Sequence, residues 1–314
     1  MTPPRPLELL PIDISAYRGN TDIPYVTTLE SGMPGPHLMI NALTHGNEVC
    51  GAHALDFLFR HDVRPIRGTL TLSFANVGAY AKFDPAHPGA SRFIDEDFNR
   101  LWSAAVLDGP ERSRDLKRAK TMRPLVDRVD HLLDIHSMQN PSPPLALAGL
   151  TTKCRDLARR IGVPAHIVID AGHAEGRRLR DYGPFEDENA PHTSVLVECG
   201  QHWERSSRDV AIESALRFLA AFDAVDAGWL APHLAPAPSA QHIIEVTDAV
   251  AIQNPDFQFL DDYRGLEVVS AAGTPVARDG ARTIATPYDD CVLIMPTRNI
   301  KAGQTAVRFG RYVH

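Results

Sequence analysis

At 314 residues the chain has room for one large domain or two with a full hydrophobic core, and its 44% hydrophobic and 23% charged content is that of a globular protein, not a disordered one. Lys and Arg number 32 against 39 Asp and Glu, a formal charge of -7, which is the wrong sign for binding phosphate backbones by counterion release and excludes nucleic acid as an expected partner. The longest apolar stretches, such as residues 145–150, fall far short of the roughly 20 needed to cross a bilayer, and residues 1–6 hold no cationic segment followed by an apolar one, so no secretory signal is read and the expected address is the cytoplasm.

An apolar run at residues 38–43 lies between Gly35-Pro36 and Thr44-His45-Gly46-Asn47 and reads as a buried strand ending in a turn. Ala52, Leu55, Leu58 and Phe59 then recur at helical spacing within residues 48–60. Residues 69–75, rich in β-branched and aromatic side chains, close a βαβ pattern at Asn76. Residues 111–128 read as an amphipathic surface helix feeding a strand at 132–135, and a further helix-strand pair covers 153–160 and 166–169. The strand 194–198 precedes a helix whose Ala211, Ala215, Phe218, Leu219 and Phe222 line one face. This alternation predicts an α/β domain with a largely parallel sheet, with chemistry at the carboxyl ends of its strands. Three prolines and several alanines in residues 230–239 read as a stiff linker, dividing a catalytic domain, 1–229, from a C-terminal domain, 240–314. Short apolar runs at 243–244, 266–269, 292–295 and 306–309, separated by turn signals, make that part β-rich and suggest a small barrel.

Cys50, Cys154, Cys199 and Cys291 show neither metal nor redox spacing and read as free buried thiols. Among 14 histidines, His45 stands out because His45-Gly46-Asn47-Glu48 sits where a strand turns into a helix, and side chains three apart there can face one point. The other reading is a surface histidine beside a glutamate that completes a helix cap. His136 ends another predicted strand on the same sheet edge and offers a third ligand, or is a hydrogen-bonded strand-end histidine. Two histidines, one carboxylate and a water make the open four-coordinate site of a catalytic zinc. Asp134 either orients His136 or caps a turn. Glu198, an acid in an apolar strand, must face a polar site or be paired, as a general base or as a buried partner of an arginine. Residues 91–102 interleave arginines, an asparagine, acids and aromatics, which suits oxyanion or carboxylate binding as well as a solvated salt-bridge segment. His53, His131, His173, His202 and His242 read as structural or surface residues, with His202 set apart because it lies four residues after Glu198.

In these motifs the chain resembles the succinylglutamate desuccinylase/aspartoacylase family of the zinc-carboxypeptidase-like superfamily. His45-Gly46-Asn47-Glu48 is similar to that family's first two zinc ligands and Asp134-Ile135-His136-Ser137 to its third. Asp97-Phe98-Asn99-Arg100 resembles its Asp-Leu-Asn-Arg signature with Phe98 in place of Leu, Arg92 matches an upstream arginine, and Glu198 in Val197-Glu198-Cys199-Gly200 is similar to its general base. The resemblance spans residues 37–204 and extends more weakly to the C-terminal part. It implies a zinc-carboxypeptidase-like fold with a mixed, largely parallel sheet flanked by helices and a smaller β-rich C-terminal domain that narrows the pocket. It also implies one Zn²⁺ per chain on His45, Glu48 and His136, with Glu198 as base and Arg92 on the oxyanion. Asn99 and Arg100 would clamp a carboxylate of an N-acyl amino acid, cleaved at its amide. Tyr288 is either the family's substrate-contacting tyrosine or a strand-edge core residue. Further carboxylate contacts are expected from the loop before the last strand of this half, where Arg177, Arg178 and Arg180 lie without an alignment to a family position, which leaves a dicarboxylic substrate open. Two other functions stay open: a zinc esterase or carboxypeptidase on the same site, and a metal- or ligand-binding protein without turnover, against which a positioned Glu198 argues. No coiled-coil heptads appear, so the sequence leaves a homo-oligomer open.

Overall fold

The computed structural model describes residues 7–172, 175–236 and 240–313. After β1 (Val26–Glu30) comes the expected βαβ unit of β2 (His37–Ala42), α1 (Cys50–Arg60) and β3 (Thr69–Phe74). Two short helices, α2 (Val77–Tyr80) and α3 (Ala104–Asp108), lead to the amphipathic α4 (Arg114–Val126) and to β4 (His131–Met138). Then follow β5 (Leu145–Leu147), α5 (Thr152–Ile161), β6 (His166–Ile169), β7 (Thr193–Gln201), α6 (Arg205–Ala221) and α7 (Ala227–Leu230). The C-terminal part holds β8 (His242–Ala251), β9 (Gln258–Phe259), β10 (Val268–Val269), β11 (Pro275–Asp279), β12 (Arg282–Ala285), β13 (Cys291–Ile294) and β14 (Thr305–Val313). No helix among the described residues is long and apolar enough to cross a membrane, and the four cysteines are free and buried.

Eleven strands form one mixed sheet in the order β1-β3-β2-β4-β7-β5-β6-β8-β14-β13-β10. Its centre is parallel across β3, β2, β4 and β7, and β5 then runs antiparallel to β7 and parallel to β6. The C-terminal strands do not close into a barrel as the sequence suggested. Because β8 pairs with β6 from His166↔His242 to Ile169↔Glu245, they find an open sheet edge that satisfies their backbone groups, and β14, β13 and β10 continue that sheet. Only β9, β11 and β12 form a separate three-stranded sheet. The stretch read as a linker is helical at its start, through Leu230 and a 3-10 turn over Ala231–His233, and its residues 237–239 lie outside the described part, as does His173.

Alternation along the strands decides which side chains reach the site. Leu38 and Ile40 of β2, Leu133 and Ile135 of β4, and Val195 and Val197 of β7 all join the core that α1, α5 and α6 cover. The intervening residues, Leu132, Asp134 and His136 on β4 and Leu196 and Glu198 on β7, therefore point to the opposite face, where Leu132 packs with Leu116, Ala119 and Met122 of α4. A polar constellation is thus forced onto one side of a sheet whose other side is largely apolar, with the hydrogen-bonded pair His131 and Thr193 at its edge.

The segment carrying Arg92 and Asp97 is pinned from α4 by the buried Asp115. Its carboxylate accepts from the backbone N–H groups of Ile94 (3.2 Å), Asp95 (2.7 Å) and Glu96 (3.2 Å) and from Asn76 Nδ2 (2.6 Å). Asp115→Ala removes one acceptor from four donors and should lower the unfolding free energy by about 3 kcal/mol. Urea denaturation would measure it, and a change within error would show that the segment is held by other contacts.

Candidate metal centre and pocket

His45 and Glu48 reach the site from the turn between β2 and α1. Leu43 bends that turn with a φ of 59°, and Gly46 lets it pack tightly, since a Cβ there would meet the Ala79 carbonyl carbon and Tyr80 N at 2.4 Å and the Ser91 oxygen at 2.5 Å. His136 stands directly opposite Glu198 in the β4–β7 register. Ligand atoms of His45, Glu48 and His136 all lie within 4.8 Å of one another, and all three residues are buried.

Glu48 bridges the imidazoles, with Oε1 2.7 Å from His45 Nδ1 and Oε2 2.8 Å from His136 Nδ1. Each imidazole's other nitrogen meets a second carboxylate, His45 Nε2 at 2.9 Å from Asp97 Oδ1 and His136 Nε2 at 2.9 Å from Asp134 Oδ2. Asp134 is itself fixed, its Oδ1 accepting from Asn41 Nδ2 (2.8 Å) and Thr44 Oγ1 (2.9 Å). Both Nδ1 atoms are therefore aimed at one point while both Nε2 atoms are held from behind, the arrangement in which carboxylates orient metal-binding histidines.

The electrostatics favour a cation at that point. Burial opposes charge on His136, yet Asp134 and Glu48 outweigh it and hold the imidazolium well above the ordinary histidine range. Burial likewise opposes ionisation of Glu48 and Asp97, and the adjoining His45, with His136 for Glu48 and Arg92 for Asp97, keeps both well below the usual carboxylate range. Two imidazoles and a carboxylate in this field are a donor set suited to Zn²⁺.

Glu198 is buried, and its Oε2 has no hydrogen-bond partner. Burial first, then the nearby Glu48 charge, pushes its carboxyl up to about 8. Arg92, half-buried, donates from Nη1 to Glu48 Oε1 (3.2 Å) and from Nη2 to Asp97 Oδ2 (3.3 Å). Asn99 and Arg100 lie on a 3-10 turn, Phe98–Arg100, that Asp97 caps by accepting from Asn99 N. Phe98 and Trp102 are fully buried beneath it, so residues 97–102 form a packed wall, whereas Phe93 is exposed and Asp95 and Glu96 make surface salt bridges to Arg114 and Arg112. His45, Glu48, His136, Glu198, Arg92, Asn99 and Arg100 all line one cavity of about 170 Å³.

Tyr288 does not line that cavity. Its hydroxyl is 2.6 Å from Thr247 Oγ1, the Arg311 guanidinium lies 3.8 Å over its ring, and it borders a separate surface depression with Val268 and Arg311. The substrate-contacting reading of Tyr288 is therefore corrected in favour of a packed residue at a strand edge.

Asp170, Arg308 and Arg264 escaped the sequence reading. Asp170 and Arg308 wall the cavity together with Arg178, one of the three unaligned arginines, and Arg264 stands at its exposed rim. Asp170 follows the apolar strand 166–169 and Arg308 interrupts 306–309, so the signal that marked Glu198, a charge within an apolar run, was present at both. Of the unaligned arginines, Arg180 is buried against Asp181 and the Ala148 carbonyl, and Arg177 is exposed and paired with Glu186. His202 also lines the cavity, its Nδ1 2.8 Å from Ser137 Oγ.

Residues 34–222 match the profile of the succinylglutamate desuccinylase/aspartoacylase catalytic domain. No curated protein matches the chain. Among solved structures, the succinylglutamate desuccinylase of Vibrio parahaemolyticus is similar over 92% of this chain and 86% of its own, with 17% identity and a TM-score of 0.65. That of Chromobacterium violaceum is similar over 93% and 89%, with 15% identity and a TM-score of 0.66. A product-bound ectoine utilization protein, EutE (DoeB), from Ruegeria pomeroyi is similar over 92% and 88%, with 18% identity and a TM-score of 0.64. At such identities these likenesses show a shared fold.

Two expectations follow. Asp97→Asn and Asp134→Asn should each weaken Zn²⁺ binding by about 10–100-fold, measured by competition with a chromogenic chelator; unchanged affinity would place the ion elsewhere. Tyr288→Phe should leave kcat/KM for any substrate of this cavity unchanged within about twofold, since no contact to the cavity is lost.

Proposed function

The chain belongs to the succinylglutamate desuccinylase/aspartoacylase family, a family of deacylases, and on that premise we propose that it is a zinc-dependent amidohydrolase that cleaves the acyl group from an N-acyl amino acid. One observation carries the reading: Glu198, buried with a free carboxylate oxygen, stands level with His136 beside the convergent nitrogens of His45 and His136. A buried acid left without a partner costs stability, and a reaction that exchanges protons with it supplies the reason for its position.

Zn²⁺ held by His45, Glu48 and His136 would supply a Lewis acid and acidify a water to a pKa near 7. Every other role falls to side chains of the chain. Asn99 and Arg100 bind the amino acid carboxylate and fix the amide over Glu198. Glu198 takes the proton of the attacking water and returns it to the leaving nitrogen, a transfer favoured by a carboxyl whose affinity for protons is raised by burial. Arg92 turns its guanidinium to the acyl oxygen as negative charge develops there. Asp97 and Asp134 keep both imidazoles in register through their Nε2 atoms.

The test is primary-amine release by the zinc-loaded protein across a panel of N-acetyl and N-succinyl amino acids, with a chelated control. Chelator-sensitive release is expected, and Glu198→Gln should lower kcat by about 10²–10⁴-fold with metal content unchanged. Full activity in that variant would overturn the mechanism.

A further inference from the structure

His202 lines the cavity, yet the mechanism above gives it no task. It directly follows β7, whose pairing with β4 runs His136↔Glu198 and then Met138↔Gln201, so β7 carries one residue more than β4 over that interval. Gly200, with a φ of 103°, sits inside it. Irregularities of this kind bend a strand end and re-aim the side chains there. His202 N–H donates to the Met138 carbonyl at 2.8 Å, which ties the bent end to β4, and the residue is only 1% exposed.

The two ring nitrogens have different surroundings. Nδ1 lies 2.8 Å from Ser137 Oγ, whereas Nε2 has no hydrogen-bond partner among the described residues. Unlike the orphaned Glu198 Oε2, Nε2 is not sealed off, and the space it opens on is the cavity. Nor is His202 a fourth metal ligand, since among the described residues the donor atoms that come within 4.8 Å of one another are those of His45, Glu48 and His136.

Proton accounting fixes which nitrogen carries hydrogen. Ser137 Oγ has no other partner among the described residues, and Ser137 is buried. A proton on Nδ1 would leave the hydroxyl hydrogen without a protein acceptor and would turn an Nε2 lone pair toward a cavity that also receives the Glu48 and Glu198 carboxylates. A proton on Nε2 satisfies the hydroxyl, which donates to Nδ1, and gives the cavity an N–H. Burial, reinforced by Arg92, His45 and His136 against Glu48, pushes His202 down to about 3, so the ring is neutral in the working range and holds one N–H only.

A donor at that place answers a need of the chemistry. Hydrolysis of an amide puts negative charge on the acyl oxygen, and donors that are already in position stabilise it best. Arg92 is committed elsewhere, through Nη1 to Glu48 at 3.2 Å and Nη2 to Asp97 at 3.3 Å. His202 Nε2 has no such commitment, and Arg92 is close enough to act on its ring, so both serve one region of the cavity.

We propose that His202 is a catalytic residue whose Nε2–H, set by the Ser137 hydroxyl at Nδ1, hydrogen-bonds the acyl oxygen of the bound amide beside Arg92. Ser137 is a positioning residue that acts through the imidazole. The identity of the oxygen rests on the deacylase reading, the donor itself on these contacts alone.

The test uses the full-length zinc-loaded protein, the N-acyl amino acid panel and acetohydroxamate, a small zinc ligand that carries the same carbonyl oxygen. Long-range ¹H–¹⁵N spectra of histidine-labelled protein should show His202 neutral and protonated on Nε2, with the Nε2 resonance moved by acetohydroxamate; a proton on Nδ1 overturns the proposal. At equal zinc content, His202→Leu should lower kcat by about 10²-fold with KM within about threefold. His202→Gln, whose amide N–H reaches the place of Nε2, should recover at least about tenfold of that loss. Equal losses in the two variants would mean a packing role and would overturn it, as would full activity in His202→Leu. Ser137→Ala should lower kcat by about tenfold and Ser137→Thr, which keeps the hydroxyl, should not. If the unmutated protein cleaves no amide, the deacylase reading fails and calorimetry with acetohydroxamate decides this one. Binding about tenfold weaker in His202→Leu retains the donor, and equal or absent binding removes it.

Discussion

Four carboxylates, Glu48, Asp97, Asp134 and Glu198, share a largely water-free space, and of the guanidinium groups among the described residues only Arg92 donates to two of them. That concentration of negative charge is the constraint around which the rest of the site is built. Like charges so close cannot all stay ionised without cations among them. A proton on His136 answers part of the demand, seen in its raised proton affinity, and a divalent ion would answer more of it in one place. Glu198, buried with no cation in contact, is the one whose proton affinity rises, first through burial and then through the neighbouring Glu48 charge.

Such a centre is tolerable only because its surroundings are rigid. The opposite face of the sheet is a largely apolar core covered by α1, α5 and α6, and on the near face each imidazole is gripped from two sides. Asp115 performs the corresponding task for the segment that brings Arg92 and Asp97, gathering backbone donors of a stretch with no regular hydrogen bonding of its own. Many buried polar groups of this half are satisfied by another at short range, while Asn41 Oδ1, Asn47 Oδ1, Ser73 Oγ and Glu198 Oε2 are not.

The C-terminal strands belong to the same design. By adding to β6 they lengthen the sheet and carry Ile294 and Arg308 to the floor and far wall of the cavity. Arg308 meets Asp170, just after β6, across that junction, a pair of charges almost 140 positions apart in one cavity.

Much of this was legible in the chain itself. Apolar periodicity located β2, α1, β3, α4, β4, α5, β6, β7 and α6, because each buries one face and repeats at its own period. The turn His45-Gly46-Asn47-Glu48, His136 and Glu198 could be picked out because charge or imidazole at the end of an apolar strand demands a purpose. β1 and β5 were missed, β5 having three residues and too little length for a period, and the barrel expected of residues 240–314 was wrong because strand signals do not say which edge a strand will join. Local pattern determined which segments are strands and helices and which side chains must be polar. Tertiary structure alone decided that Asp97 backs His45, that Tyr288 faces away from the cavity, and that Arg178 and Arg308 share Asp170, since these pairings are set by register and by the path of loops, which no single segment encodes.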